Sequence, residues 1–417
     1  MKKSLLIFTA FIAIRVAYIF LSGFSSCDLC QDCNWINELS ERVLVGNFNF
    51  DVGRFIASPF YNVFIAVHKI IFGQYWATAL VTSQLVLSGL SGVYFYKLGL
   101  LLFEKRAAII STAIFSVFPL TLYWVHTFCT ESIFQSLLII SIFFLVNAVK
   151  TKSYRDVIIS SSILSIVFLT KSHILLFTPF IALYLFINNE GTKKFTLPIL
   201  YGAICFLFTL PFGIYNLKVN HQYVLSSNGN DFHFYTGNSP YGYKVVVDVP
   251  PKGTEEFKKL GAMDMAYFNG SVHDSIMKLP QNVKQKLYLN YAINWIKNNP
   301  KKFLETKLND FILFIIPGTN FKYYSFLAWL FTFLISLPIY LLGYFGIVFY
   351  LKKDFRLHFY ALGLFLSMLI FSVVWYVQNR FRTITIEPIY ILYSGAVIHL
   401  ILKKYLGKKR PKVEQTK

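Results

Sequence analysis

Apolar residues recur along this chain in runs long enough, or nearly so, to cross a hydrocarbon core ~30 Å thick, which takes ~20 residues of helix. About ten such runs are present, at roughly 4–24, 78–101, 107–124, 131–149, 156–170, 173–188, 195–216, 325–350, 357–377 and 383–402. The first follows Lys2 and Lys3 as a signal peptide would, but it is long, contains Arg15 and lacks a small-x-small cleavage site. It is read as a retained helix. Two stretches break the pattern, 25–77 and 217–324. In the first, NWINELSERVLVG and SPFYNVFIAVHKIIFG each carry an apolar stripe but are too short or too polar to span, so both are expected to lie in the interface. The second mixes turn-forming clusters with an amphipathic end, 301–316, that stops at Pro317 and is assigned to the outer interface. The expected fold is an all-α polytopic bundle of about ten transmembrane helices, with interfacial helices and a small extracytoplasmic domain. Its parts are 1–216 (a membrane module whose first outer loop is 25–77), 217–324 (outside) and 325–417 (C-terminal helices and a basic tail).

Composition agrees with a membrane protein. The 417 residues are 55% hydrophobic and 14% charged, against about 25% charged in soluble domains. The net charge of +20 would point to an anionic partner in a soluble protein, so its distribution matters. With the N-terminus inside, Lys105/Arg106, Lys150/Lys152/Arg155, Lys193/Lys194, Lys352/Lys353/Arg356 and the lysines from 403 all fall on the inner side, as the positive-inside rule requires. That side holds about 20 basic and 5 acidic residues, the outer side about 20 and 15. Most of the excess is therefore an orientation signal, with both termini cytoplasmic.

Ionisable residues at span ends are functional candidates, because burying them is costly. The topology brings several to the outer side: Asp32 after the first span, His126 and Glu131 about the next outer turn, then Lys171 and His173, then Arg380 and Arg382. Two carboxylates among basic groups fit transfer of a group from a lipid phosphate. Lysine and arginine would hold the phosphate, and a carboxylate would take a proton from the incoming hydroxyl. Each candidate also has a plain structural reading: a loop acid, a helix-start acid, a snorkelling cation or an interfacial histidine. Arg15, inside the first span, must find a carboxylate, carbonyls or water. Cys27, Cys30 and Cys33 form CDLCQDC, open to a disulfide, a metal or free thiols, whereas Cys129 and Cys205 read as packing residues. Neither a Walker loop nor a dinucleotide fingerprint occurs, so no nucleotide is expected.

The runs DCNWINELSERVLVGNF and SPFYNVFIAVHKIIFG, and the stretch from LVTSQLVLSGLSG through CTESIF, resemble the GT-C membrane glycosyltransferases. The likeness is to the family-39-like branch of protein O-mannosyltransferases and lipid A aminoarabinose transferases. It continues through TKSHILLFTPF, NGNDFHFYTGNSPYG and NRFRTITIEPIYIL, and is weakest over 245–300. This resemblance implies Asp32 as the base, Glu131 as the second acidic position and Lys171, Arg380 and Arg382 as donor-phosphate residues. Trp35, where a tyrosine is usual, joins His126 and His173 as substrate-binding candidates. Cys33 replaces the usual second acid, which leaves a divalent metal open and assigns no metal ligand. The implied donor is a polyprenyl-phosphate sugar, transferred with inversion to a lipid, glycan or protein acceptor on the outer face of a bacterial inner membrane; no nucleic acid is involved. The rival reading is a transporter or flippase for an anionic lipid-linked sugar, which would favour charges near the bilayer midplane.

Overall fold

The computed structural model describes residues 2–22, 33–261 and 275–407. Among them there is no strand, only an isolated antiparallel bridge between Asp51 and Ile56. The helices in chain order are α1 (Lys2–Ser22), α2 (Cys33–Leu44), α3 (Phe60–Phe72), α4 (Trp76–Leu102), α5 (Lys105–Val117), α6 (Pro119–His126), α7 (Thr130–Thr151), α8 (Tyr154–Thr170), α9 (Ser172–Ile187) and α10 (Lys193–Val219). There follow the short α11 (Asn230–Gly237), α12 (Pro240–Val246) and α13 (Glu255–Gly261), then α14 (Gln281–Asn298) and α15 (Pro300–Ile315). The C-terminal group is α16 (Phe326–Lys353), α17 (Phe355–Val374), α18 (Asn379–Thr385) and α19 (Glu387–Gly407).

Among the described residues, six helical stretches are long and apolar enough to cross a membrane, or eight if each of two bent pairs is one span. The runs at 156–170 and 173–188 form the shorter α8 and α9, of 17 and 16 residues, which run from the basic turn at Lys152 to Lys171 and back to the turn before Lys193. A correction concerns SPFYNVFIAVHKIIFG. Instead of lying flat by itself, α3 runs on into α4 as one apolar stretch, Phe60–Leu102, joined by the single turn Gly73–Tyr75.

The two bent pairs have a common cause. Phe118 precedes a proline and is held extended (φ −67°, ψ 118°), while Pro119 opens the next helix, so α5 and α6 meet at 62°. Pro388 similarly follows the break between α18 and α19, which bend by 51°. Each bend stops a span short and turns the chain across one end of the bundle. Those transverse segments carry His126 and, on α18, Arg380 and Arg382.

The core is built on α7 and α19, whose residues are mostly buried. Close approach to α19 depends on small residues: a Cβ at Gly343 of α16 would meet the Tyr390 Cβ at 2.7 Å, and one at Gly395 would meet the Ser111 Oγ at 2.2 Å. The segment between α10 and α16 has a core of its own, with Phe232, Tyr235, Tyr241, Leu260, Ile276, Tyr288 and Ala292. The basic turns gather at one end of the bundle. There Lys403 and His399 bind Glu104 at 2.7 and 3.0 Å, Lys193 donates to the Lys152 carbonyl at 3.0 Å, and Asn188 donates to the Arg356 carbonyl at 2.9 Å.

Candidate active site

At the opposite end, Glu131 sits in the first turn of α7, 1% exposed. Its Oε1 accepts a hydrogen bond from the Lys171 Nζ at 2.9 Å and lies 3.6 Å from the Arg380 Nη1, while the Thr130 hydroxyl donates to Oε2 at 3.1 Å. Lys171 arrives from the C-cap of α8 and Arg380 from the first turn of α18. Both cations also approach the Phe381 ring, at 5.4 and 5.7 Å, and Arg380 donates to Gln378 at 2.7 Å. Three residues far apart in sequence thus share one focus.

His173 closes the inner side of this cluster. It is 8% exposed and packs against Phe134, Phe371 and Phe381 at ring distances of 5.2, 5.2 and 4.9 Å. Its Nε2 has no hydrogen-bond partner. His126 stands apart from this aromatic packing. It is 1% exposed, meets Tyr18 edge-on at 5.6 Å, and neither ring nitrogen is hydrogen-bonded.

Arg382, expected at the donor phosphate, is turned away from Glu131 and 2% exposed. Its guanidinium donates to the carbonyls of Leu313, Phe314, Ile316 and Gly318 at 2.9, 3.2, 2.5 and 2.5 Å, and to Glu387 at 3.3 Å. The carbonyls left unpaired at the end of α15 are the reason: a buried helix C-terminus needs donors, and a guanidinium supplies several in one plane. Arg382 therefore ties α15 to α18 and has its donors spent.

Asp32 lies outside the described residues, as do Cys27 and Cys30. Trp35, on α2, packs into a cluster with Phe128, Cys129 and Ile133, which brings the start of α2 beside the start of α7. Cys129, read from sequence as a packing residue, is disulfide-bonded, and Cys205 is free. Among the described residues, Arg15 finds carbonyls but no carboxylate. Its Nη1 reaches the Phe11 and Ser116 carbonyls at 3.5 Å, its guanidinium lies 4.5 Å from the Phe11 ring, and its Nε has no partner.

Two residues that frame the site have no counterpart among the sequence candidates. Gln84 of α4 is fully buried and donates to the carbonyls of Val125 and Thr127 at 3.0 and 3.2 Å, while the Tyr61 hydroxyl donates to its Oε1 at 2.9 Å. Gln135 donates to the Thr383 carbonyl at 3.0 Å, fixing α18 on α7. The only trace of either in the sequence is an uncharged amide inside an apolar run. Among the described residues, no three His, Cys, Asp or Glu side chains come together in a way that could hold a metal ion.

Residues 57–215 match the family model described as dolichyl-phosphate-mannose-protein mannosyltransferase. No curated protein sequence matches the chain. The fold is similar to solved structures of an oligosaccharyltransferase from Archaeoglobus fulgidus. One of these, AglB in complex with an inhibitory peptide and a dolichol-phosphate, superposes with a TM-score of 0.58 at 14% identity, over 97% of this chain and 51% of that one. Another, tethered to an acceptor peptide containing the NVT sequon, gives 0.58 at 15% over 97% and 50%. A third, complexed with Zn and sulfate, gives 0.55 at 15% over 96% and 50%. The chain spans about half the length of these structures.

Proposed function

We propose that this chain, whose helices adopt the fold of the GT-C membrane glycosyltransferases, transfers a sugar from a polyprenyl-phosphate donor to an acceptor hydroxyl at the outer face of a bacterial inner membrane. The observation that carries this reading is the convergence of Lys171 and Arg380 on Glu131 at the end of the bundle opposite the basic turns. A sugar-phosphate-polyprenyl diester bears a negative charge that a lysine and an arginine can hold. Similarity to a protein structure bound to dolichol-phosphate supports the same class of donor.

The reaction needs three operations. Asp32 takes the proton of the acceptor hydroxyl. The oxygen attacks the anomeric carbon from the side opposite the phosphate, and the bond from that carbon to the phosphate oxygen breaks with its electron pair going to the phosphate. The new glycosidic bond is therefore inverted. As the diester becomes a monoester its negative charge grows, and Lys171 and Arg380 stabilise that charge where it develops. Glu131 holds both cations in place beforehand and so acts as a positioning residue. Trp35 and His126, which border the start of α7, would face the acceptor, and His173 backs Phe381 beneath the donor cations. Arg382 maintains the α15–α18 junction that sets Arg380.

The test is purified full-length protein given a radiolabelled polyprenyl-phosphate sugar and lipid, glycan and peptide acceptors, wild type beside Asp32→Asn. Transfer should occur with wild type and fall by about 10²-fold or more in the variant. Equal transfer by both would remove Asp32 as the base, and movement of intact donor across a bilayer without transfer would replace the enzyme by a transporter.

A further inference from the structure

At the basic end of the bundle, far from Glu131, a cleft of about 560 Å³ opens between the turn that joins α9 to α10 and the start of α17. Phe186 and Phe355 form its apolar walls, and Lys194, Arg356, Glu190 and Asn189 its polar lining. The walls are fixed to each other, because Asn188 donates to the Arg356 carbonyl at 2.9 Å. The cations are uncommitted. Lys194 lies 4.1 Å over the Phe186 ring, and neither it nor Arg356 makes an ion pair among the described residues. The neighbouring carboxylate of Asp354 is occupied in capping α17 through the Leu357 amide at 3.0 Å. Asn189 at the back of the cleft is 4% exposed and donates from its amide nitrogen to the Leu185 carbonyl at 2.7 Å, which fixes the end of α9.

We infer that this cleft binds the headgroup of an anionic phospholipid, with the phosphate between Lys194 and Arg356. Two cations and Glu190 leave one positive charge, equal and opposite to a phosphodiester. The exposed ring of Phe355 and the half-buried ring of Phe186 offer an apolar surface to the first acyl carbons, and basic pockets between helices at a cytoplasmic interface are suited to such headgroups. Phosphatidylglycerol meets both requirements at once: a phosphodiester with a net negative charge, and acyl chains. This site is independent of the transferase reading.

The test is native mass spectrometry of the full chain in detergent, titrated with phosphatidylglycerol or phosphatidylethanolamine. The variants are Lys194→Gln/Arg356→Gln and, as a control, Lys352→Gln/Lys353→Gln, which removes two exposed lysines outside the cleft. Wild type should prefer phosphatidylglycerol by about tenfold, the cleft variant should lose that preference, and the control should keep it. The substituted side chains are surface ones, so an unchanged melting temperature will certify each variant as folded. Absence of a preference, or its equal loss in the control, would overturn the proposal in favour of a diffuse attraction to the basic end. Equal competition by inorganic phosphate or glycerol 3-phosphate would overturn it in favour of a soluble anion.

Discussion

Glu131 and Lys171 form the pair on which the outer site depends, and their burial sets what happens when it is broken. Their side chains are 1% and 13% exposed. Removing one partner of a buried ion pair leaves an uncompensated charge at a cost of about 3–5 kcal/mol, part of which Arg380 will offset here. Lys171→Met should therefore lower the thermal midpoint in detergent. Lys171→Met/Glu131→Gln should recover most of the loss, because the buried carboxylate is then neutral and Arg380, 26% exposed, keeps access to water. Donor KM should rise in both variants, since each lacks a phosphate-facing cation. A double variant that stays as unstable as the single would show that the pair's contribution is packing. None of these partners could be matched from sequence: Lys171 reads equally as a snorkelling lysine, and Glu131 as an acid at a helix start.

At the scale of elements, the short helices and bends decide where charges point. Arg382 bridges the C-terminus of α15 to α18, and an ammonium cannot reproduce a planar set of donors aimed at several carbonyls. Arg382→Lys should destabilise the fold by about 3 kcal/mol while leaving donor KM of the surviving protein near wild type. A variant of normal stability and raised KM would return Arg382 to the phosphate. Nearby on α15, Lys307 and Asp310 form another buried pair at 2.9 Å, with the Asp310 Oδ1 unpartnered. Burial pushes the Asp310 carboxyl up from 3.8 to about 7. The folded chain thus holds a proton that the unfolded chain releases near pH 4, so this contribution to stability is present below about pH 4 and lost as pH rises towards 7. Asp310→Asn should flatten the fall in melting temperature across that interval, and a slope identical to wild type would assign the pH dependence elsewhere. The bends at Pro119 and near Pro388 were visible as prolines, but both runs read as plain spans because neither apolarity nor length records an angle.

At the scale of the molecule, two ends of unlike chemistry face opposite sides of the apolar belt. The basic turns are cross-braced at one end, and the Glu131 cluster, Trp35 and the outer segment occupy the other. The basic end should be cytoplasmic. In intact cells, Thr192→Cys in the α9–α10 turn should react with a membrane-impermeant maleimide only after permeabilisation, and Ser325→Cys before α16 should react without it; the reverse pattern would invert the molecule. The sequence by itself determined the class of fold, the alternation of basic loops and the set of charged residues at span ends. These depend on composition and on distance along the chain, which the bilayer reads directly. Tertiary structure decided which of those charges meet. Arg380 and Arg382 are two residues apart on one helical turn, about 200° around the axis. One therefore reaches Glu131 and the other the end of α15. Neighbours in sequence were separated in function because their partners come from helices distant in the chain, and only packing brings those helices together.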